Sequence, residues 1–152
     1  MARFRFKLEP VLQHRKTRED EALRALGAAQ RAYQLELYKK AKLREDLAQS
    51  LLRREQIGRE PAVTVTFQIE NDFITGTKQR IVRADQAIFR ASKNVEKALR
   101  SYLKAKRETR AMELLRERAF ADYRKEQSKR EQREQDDLSL MRQRLRESPL
   151  TG

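Results

Sequence analysis

Apolar residues recur every seven positions through the second half of this chain. Phe67, Ile74, Ile81, Ile88, Val95 and Tyr102 share one register, and Ala84, Ala91, Ala98, Ala105 and Met112 fill a companion register. Such a pattern marks a long helix with a narrow apolar seam that packs against another helix. The start of this stretch also looks like a strand, because Val63, Val65, Phe67 and Ile69 alternate with Ala62, Thr64, Thr66 and Gln68. Period two fails at Asn71, after which Phe73 and Ile74 are adjacent, whereas period seven continues. The segment therefore reads as the opening of a helix, with Thr64 or Thr66 as its N-cap.

Upstream, Leu12, Leu26 and Tyr33 lie on one seven-residue register that Glu19 interrupts, with Ala22 and Ala29 between them. Leu37, Leu47 and Leu51 are expected to continue the stripe after a small shift. Pro10 stands where a first helical turn tolerates it. Gly58 falls where a C-terminal cap belongs, and "GREPAV" supplies the punctuation of a turn. The expected fold is all-α: one domain over residues 1–152, with a helix over about 9–57, a turn over about 58–65 and a helix over about 66–146. A short turn makes the helices antiparallel neighbours in a two-helix coiled-coil hairpin, and Ala in one seam register lets them approach closely.

The two helices differ in length, roughly 70 Å against roughly 120 Å at the rise of an α-helix, so the second overhangs. Pairing back from the turn brings residues 115–120 level with Leu8 and Pro10, so Phe4, Phe6 and Leu8 can cap the end against Phe120 and Tyr123. From Arg124 to Asp137 the sequence "RKEQSKREQREQDD" has no apolar residue and carries five basic and five acidic charges, as a solvated overhang would. Leu138, Leu140, Met141 and Leu145 restore apolar surface near its tip.

Composition agrees with long helices and narrows the function. Charged residues make up 39% of the 152, with four glycines, three prolines and no tryptophan, which is too little apolar material for a thick core. The net charge of +13 draws the chain toward an acidic partner: nucleic acid, an anionic membrane surface or an acidic protein groove. Without cysteine there is no disulfide, thiol nucleophile or cysteine metal site. No apolar run approaches the twenty residues of a membrane span, and the amino end has no signal-like apolar core, so the expectation is a soluble, unsecreted chain.

The chemistry of catalysis is missing. His14 is the single histidine and reads as a helix-surface residue. "TGTK" at Thr75 to Lys78 echoes a phosphate loop, but that motif needs Gly where Asn71 stands and Ser or Thr where Gln79 stands. A two-helix hairpin offers no pocket to desolvate carboxylate pairs. The expectation is a protein that acts by binding, with no cofactor and no metal. Acids interleave with its Arg and Lys residues, and no basic region feeds a zipper, so weak, salt-sensitive affinity for nucleic acid is expected rather than specific recognition. A basic coiled coil that binds nucleic acid or an anionic scaffold stays the alternative.

Three segments carry a resemblance. In "FRFKLEPVLQHRKTREDEALRALG" they are Phe4, Phe6, Leu8, Val11, Leu12, Arg15 and Glu19; in "DFITGTKQRI", Phe73, Ile74 and Ile81; in "KREQREQDDLSLMRQR", Glu131, Gln132 and Asp136. Their order and spacing resemble the FliJ family of flagellar type III export components. The chain departs from that pattern at Thr77, where the family has Leu, and at Arg133, Gln135 and Asp137. The resemblance implies an antiparallel coiled coil similar to the central stalk of rotary ATPases, cytoplasmic and peripheral to the inner-membrane export apparatus. It further implies a monomer that works with the export ATPase ring and the cytoplasmic part of the export-gate membrane protein, couples the two, and escorts export chaperones. Carried onto this sequence, the ATPase-facing residues are Phe4, Phe6, Leu8, Val11, Leu12, Glu131, Gln132 and Asp136, and the gate-facing residue is Phe73. Phe4, Phe6 and Leu8 serve equally well as an end cap, and Ile74 and Ile81 as seam residues.

Overall fold

The computed structural model describes residues 3–58 and 64–148. It contains two helices in order, α1 (Glu9–Gly58) and α2 (Thr64–Glu147), and no strand among the described residues. The segment that begins like a strand is helical from Thr64 onward, because the apolar period it shares with the rest of α2 outweighs the small helix penalty of its β-branched residues. Thr64 and Thr66 both lie within the helix and so do not precede it as a cap; the residues before Thr64 lie outside the described ones. Gly58 is the last residue of α1 and has no positive φ, so it is not a left-handed cap. Most of the expected turn, 59–63, also lies outside the described residues.

The two helices form an antiparallel coiled-coil hairpin, which falls into two compact units: Arg18–Ala105, and the described part of Met1–Thr17 with Lys106–Gly152. Within Arg18–Ala105, the ion pairs Lys40–Asp85 (2.5 Å) and Arg53–Glu70 (3.2 Å) set the antiparallel order, since the partner falls along α2 as the residue rises along α1. Ile74, Ala84 and Ala91 are buried; Ile81, Ile88, Val95, Ala98, Tyr102 and Ala105 are half-buried. Phe67, first on the large-residue register, is 38% exposed. Thr77, seven residues before Ala84, is fully buried and continues the small-residue column, its Oγ1 donating to the Phe73 carbonyl at 2.7 Å. One more step back, Glu70 accepts from Arg53 through Oε1, while its Oε2 is buried without a hydrogen bond among the described residues.

α1 keeps a strict register with no shift. Tyr33, Lys40, Leu47 and Arg54 follow Leu26 at seven-residue steps, and all four are half-buried. Two of these slots hold cations. Each long side chain lays its aliphatic stem along the seam and delivers its head to α2, Lys40 to Asp85 and Arg54 to the side-chain Oδ1 of Asn71 at 3.1 Å. The expected shift to Leu51 does not occur: Leu51 is 36% exposed, and its neighbour Ser50, on the same column as Leu43 and Ile57, is fully buried. Ser50 Oγ accepts a bond from Arg53 Nη2 at 3.1 Å, which satisfies the hydroxyl.

In the other unit, Leu12 is 1% exposed and Thr109 3%. Arg15 bridges to Glu108 at 2.7 Å and Arg116 to Glu9 at 3.2 Å, again in antiparallel order. The chain enters α1 through a turn in which Glu9 N donates to the Phe6 carbonyl and Leu12 N to the Leu8 carbonyl. Pro10 sits in that first turn, where its missing N–H has no carbonyl to meet. α2 runs on past α1 as an overhang, with every described residue from 128 to 148 exposed.

Candidate functional site

The short entry segment before α1 is held by rings. Phe4 packs edge-on against Phe120 (centroids 5.2 Å apart, planes at 71°) and tilted against Tyr123 (5.4 Å). These aromatic contacts fix the entry segment to α2 with little backbone bonding. The Arg124 guanidinium lies over the Phe120 ring, 5.9 Å from its centre. An open groove of about 420 Å³ runs beside it, lined by Phe4, Leu12, Lys16, Glu113, Arg116, Glu117 and Phe120. A second, of about 800 Å³, is lined by Arg3 to Leu8 together with Ala119, Asp122, Tyr123 and Glu126. Basic, acidic and aromatic side chains line both.

The structure thus brings Phe4, Phe6, Leu8 and Val11 together in one unit and separates them by availability. Phe6 is half-buried, while Leu8 (43%) and Val11 (39%) are exposed. Leu12, 1% exposed, belongs to the interior of the pair and borders the first groove with almost no free surface. Glu131, Gln132 and Asp136 stand on the bare stretch of α2, all exposed, and Gln132 Nε2 donates to Asp136 Oδ1 at 3.3 Å, one helical turn on. Leu138, Leu140, Met141 and Leu145 follow, each more than half exposed. Nothing among the described residues covers them.

Phe73 belongs to the Arg18–Ala105 unit and is 38% exposed, one step off the seam column of Ile74. Thr77, at the position where the resemblance calls for Leu, faces the seam with no exposed surface. Sequence reasoning took Thr77 as a mere departure and passed over Ser50 and Thr109. The signal was present: Thr77 precedes Ala84 by seven, Ser50 lies midway between Leu43 and Ile57, and Thr109 follows Tyr102 by seven. Among the described residues no three His, Cys, Asp or Glu side chains are placed to hold a metal ion. No helix among them is long and apolar enough to cross a membrane.

A profile of the family described as flagellar FliJ protein matches residues 4–148, which takes in the ring cluster, both seams and the bare stretch of α2. The chain belongs to the flagellar FliJ protein family. It is thereby a component of flagellar type III export, associated with that apparatus. A solved structure assigned as a YscO homolog from Chlamydia trachomatis is similar in fold, with a TM-score of 0.63 over 95% of this chain and 98% of that one, at 22% identity. No curated protein matches the sequence.

Proposed function

We propose that this FliJ-family chain is a non-catalytic stalk and adaptor that couples the export ATPase ring to the export gate and escorts export chaperones, working as a monomer on the cytoplasmic face of the apparatus. The observation that supports it is the bare stretch of α2. A helix whose every residue from 128 to 148 meets solvent gains nothing from packing within its own chain, and helices without tertiary contacts are marginal. Such a stretch is explained by a second molecule. The exposed signature residues Glu131, Gln132 and Asp136 and the apolar tip would meet the ATPase ring, with Phe4, Phe6, Leu8 and Val11 as a second contact near the same end of the chain's own seam. Phe73 would meet the gate.

The segment from Arg124 to Asp137, which leads into the bare stretch, balances five bases with five acids, which favours a patterned protein surface over a uniform polyanion. Deleting residues 128–152 tests the assignment, because that cut spares the half-buried Gln127 and the Phe4–Tyr123 contact. The truncated chain is expected to fold, to lose association with the purified ATPase ring in pull-downs and to stop stimulating its hydrolysis. Phe73→Ala is expected to keep that association and weaken binding to the cytoplasmic part of the gate protein. Full-strength stimulation by the truncated chain would show that the overhang is not the ATPase contact.

A further inference from the structure

The outer face of α2 opposite α1 carries a pattern that neither the seam nor the overhang uses. From Lys78 to Ala105 there are eight basic residues and two acidic ones, Asp85 and Glu96. Both acids are engaged, Asp85 by Lys40 across the seam and Glu96 by Lys93 along the helix at 3.5 Å. Arg83, Arg90, Lys97 and Lys104 then form one seven-residue column, all exposed, with no ion-pair partner among the described residues. The adjacent column starts with Val82 and Phe89, 57% and 62% exposed, and reaches Leu103 at 42%. Lys93 Nζ sits 5.3 Å from the Phe89 ring centre, so even the largest apolar group is flanked by charge.

Two columns with the same period, one apolar but for Glu96 and one cationic, are the complement of a third helix. Residues seven apart rise by roughly 10 Å along a helix, so a partner with its own apolar seam can place one side chain against Val82 and the next against Phe89. Its flanking positions would then lie against Arg83, Arg90 and Lys97, where carboxylates find unpaired cations. A lipid surface fits less well. The apolar strip is one column wide, whereas interfacial helices bury a broad face, and Glu96 stands in that column between Phe89 and Leu103. Nucleic acid fits less well because phosphates make no use of an exposed Phe89 and Val82.

We infer that the Val82–Lys104 face of α2 is a docking stripe for an acidic amphipathic helix of a partner protein. The full-length chain is titrated at physiological salt with a labelled peptide of about four heptads, Leu at its seam positions and Glu at the flanks, and with a scrambled peptide of identical composition. The patterned peptide is expected to bind at least about tenfold more tightly than the scrambled one. Phe89→Ala should weaken it about tenfold, and the triple change Arg83→Glu, Arg90→Glu, Lys97→Glu about a hundredfold. All four positions are exposed, and circular dichroism checks that each variant keeps its helicity. Equal affinity for the scrambled peptide reduces the stripe to bulk charge and overturns the inference, as does an unchanged affinity in either variant. Tighter binding of duplex DNA or of phosphatidylserine vesicles, lost in the same triple variant, assigns the face to that polyanion instead.

Discussion

α2 contains two stretches of similar polarity and opposite circumstance. Between Ile74 and Ala105, large and small seam residues recur every seven positions and α1 covers them; from residue 128 to 148 all side chains are exposed. Both are helical and both are rich in charge. What separates them is how densely apolar residues return in register, since Arg124 to Asp137 has none at all and only Leu138 and Leu145 lie seven apart beyond it. The bare stretch is held by contacts within its own turns: Gln132 to Asp136 at 3.3 Å, Gln143 to Glu147 at 3.2 Å and Lys129 to Glu126 at 3.8 Å. Pairs of this kind contribute about 0.2–0.5 kcal/mol each. Amide exchange should therefore be fast beyond Gln127 and slow between Ile74 and Ala105, with the contrast shrinking when a partner covers the overhang.

The largest effect should come from charging the covered seam. Ile74 is 3% exposed, so Ile74→Asp places a carboxylate in a buried apolar slot and should cost about 3–5 kcal/mol. Asp at Ile81 or Ile88, which are half-buried, should also unfold the hairpin, at smaller cost. Leu140→Asp, at 52% exposure, should leave the melting temperature unchanged. Thermal melts followed by far-ultraviolet dichroism separate these outcomes, and equal melting of the Ile74 and Leu140 variants would contradict the seam.

Next in size is overpacking. Ala91 is 8% exposed in the small-residue column, and Ala91→Leu adds three carbons where α1 stands close, at about 1–3 kcal/mol. Ser139→Leu makes a comparable enlargement on the bare stretch and should cost nothing measurable by the same melts. If Ala91→Leu stabilises instead, the helices are not in close approach there.

The contrast between these stretches was legible in the sequence because it depends on periodicity alone. So were the aromatic clamp of Phe4 on Phe120 and Tyr123, which follows from counting back from the turn, and the exposure of Phe73, one step off the seam. What escaped was the polar content of the seam. Lys40 and Arg54 occupy slots that a search for apolar residues skips, so the stripe seemed to shift to Leu51. Their stems are apolar and their heads reach acceptors on α2, a partnership visible only once the facing helix is in place. Thr77 and Ser50 were missed for a related reason, since a hydroxyl that bonds within its own helix can be buried without a cross-seam partner. Leu12 was assigned to a partner surface on the strength of resemblance, and its 1% exposure makes it a packing residue first.

Helix propensity gives a smaller effect of the opposite sign. A Cβ placed on Gly76 would meet no atom within 4 Å, and its φ is already negative. Gly76→Ala should stabilise the covered stretch by about 0.5–1 kcal/mol and raise the melting temperature. A fall would mean that something else requires the bare backbone beside Phe73, and gate binding by this variant would show whether that is a partner.

The smallest effect concerns ion pairs and asks whether pairing across the seam differs from pairing along one helix. Arg15 and Glu108 meet at 2.7 Å with side chains about one-third exposed, 34% and 35%. Lys129 and Glu126 meet at 3.8 Å with 65% and 69% exposure. Both sites face solvent enough for screening, so neither is worth a buried charge pair. The Arg15–Glu108 pair is already positioned by Leu12 and Thr109 beside it, which lowers the entropy lost in holding the bridge. A double-mutant cycle to alanine should give about 0.5–1 kcal/mol for Arg15–Glu108 and roughly zero for Lys129–Glu126. Raising salt to about 1 M should erase most of the first value, as the Debye length falls to about 3 Å. Equal couplings would mean that the seam adds nothing to an ion pair beyond what one helix provides, and the covered and bare stretches would then differ in apolar packing alone.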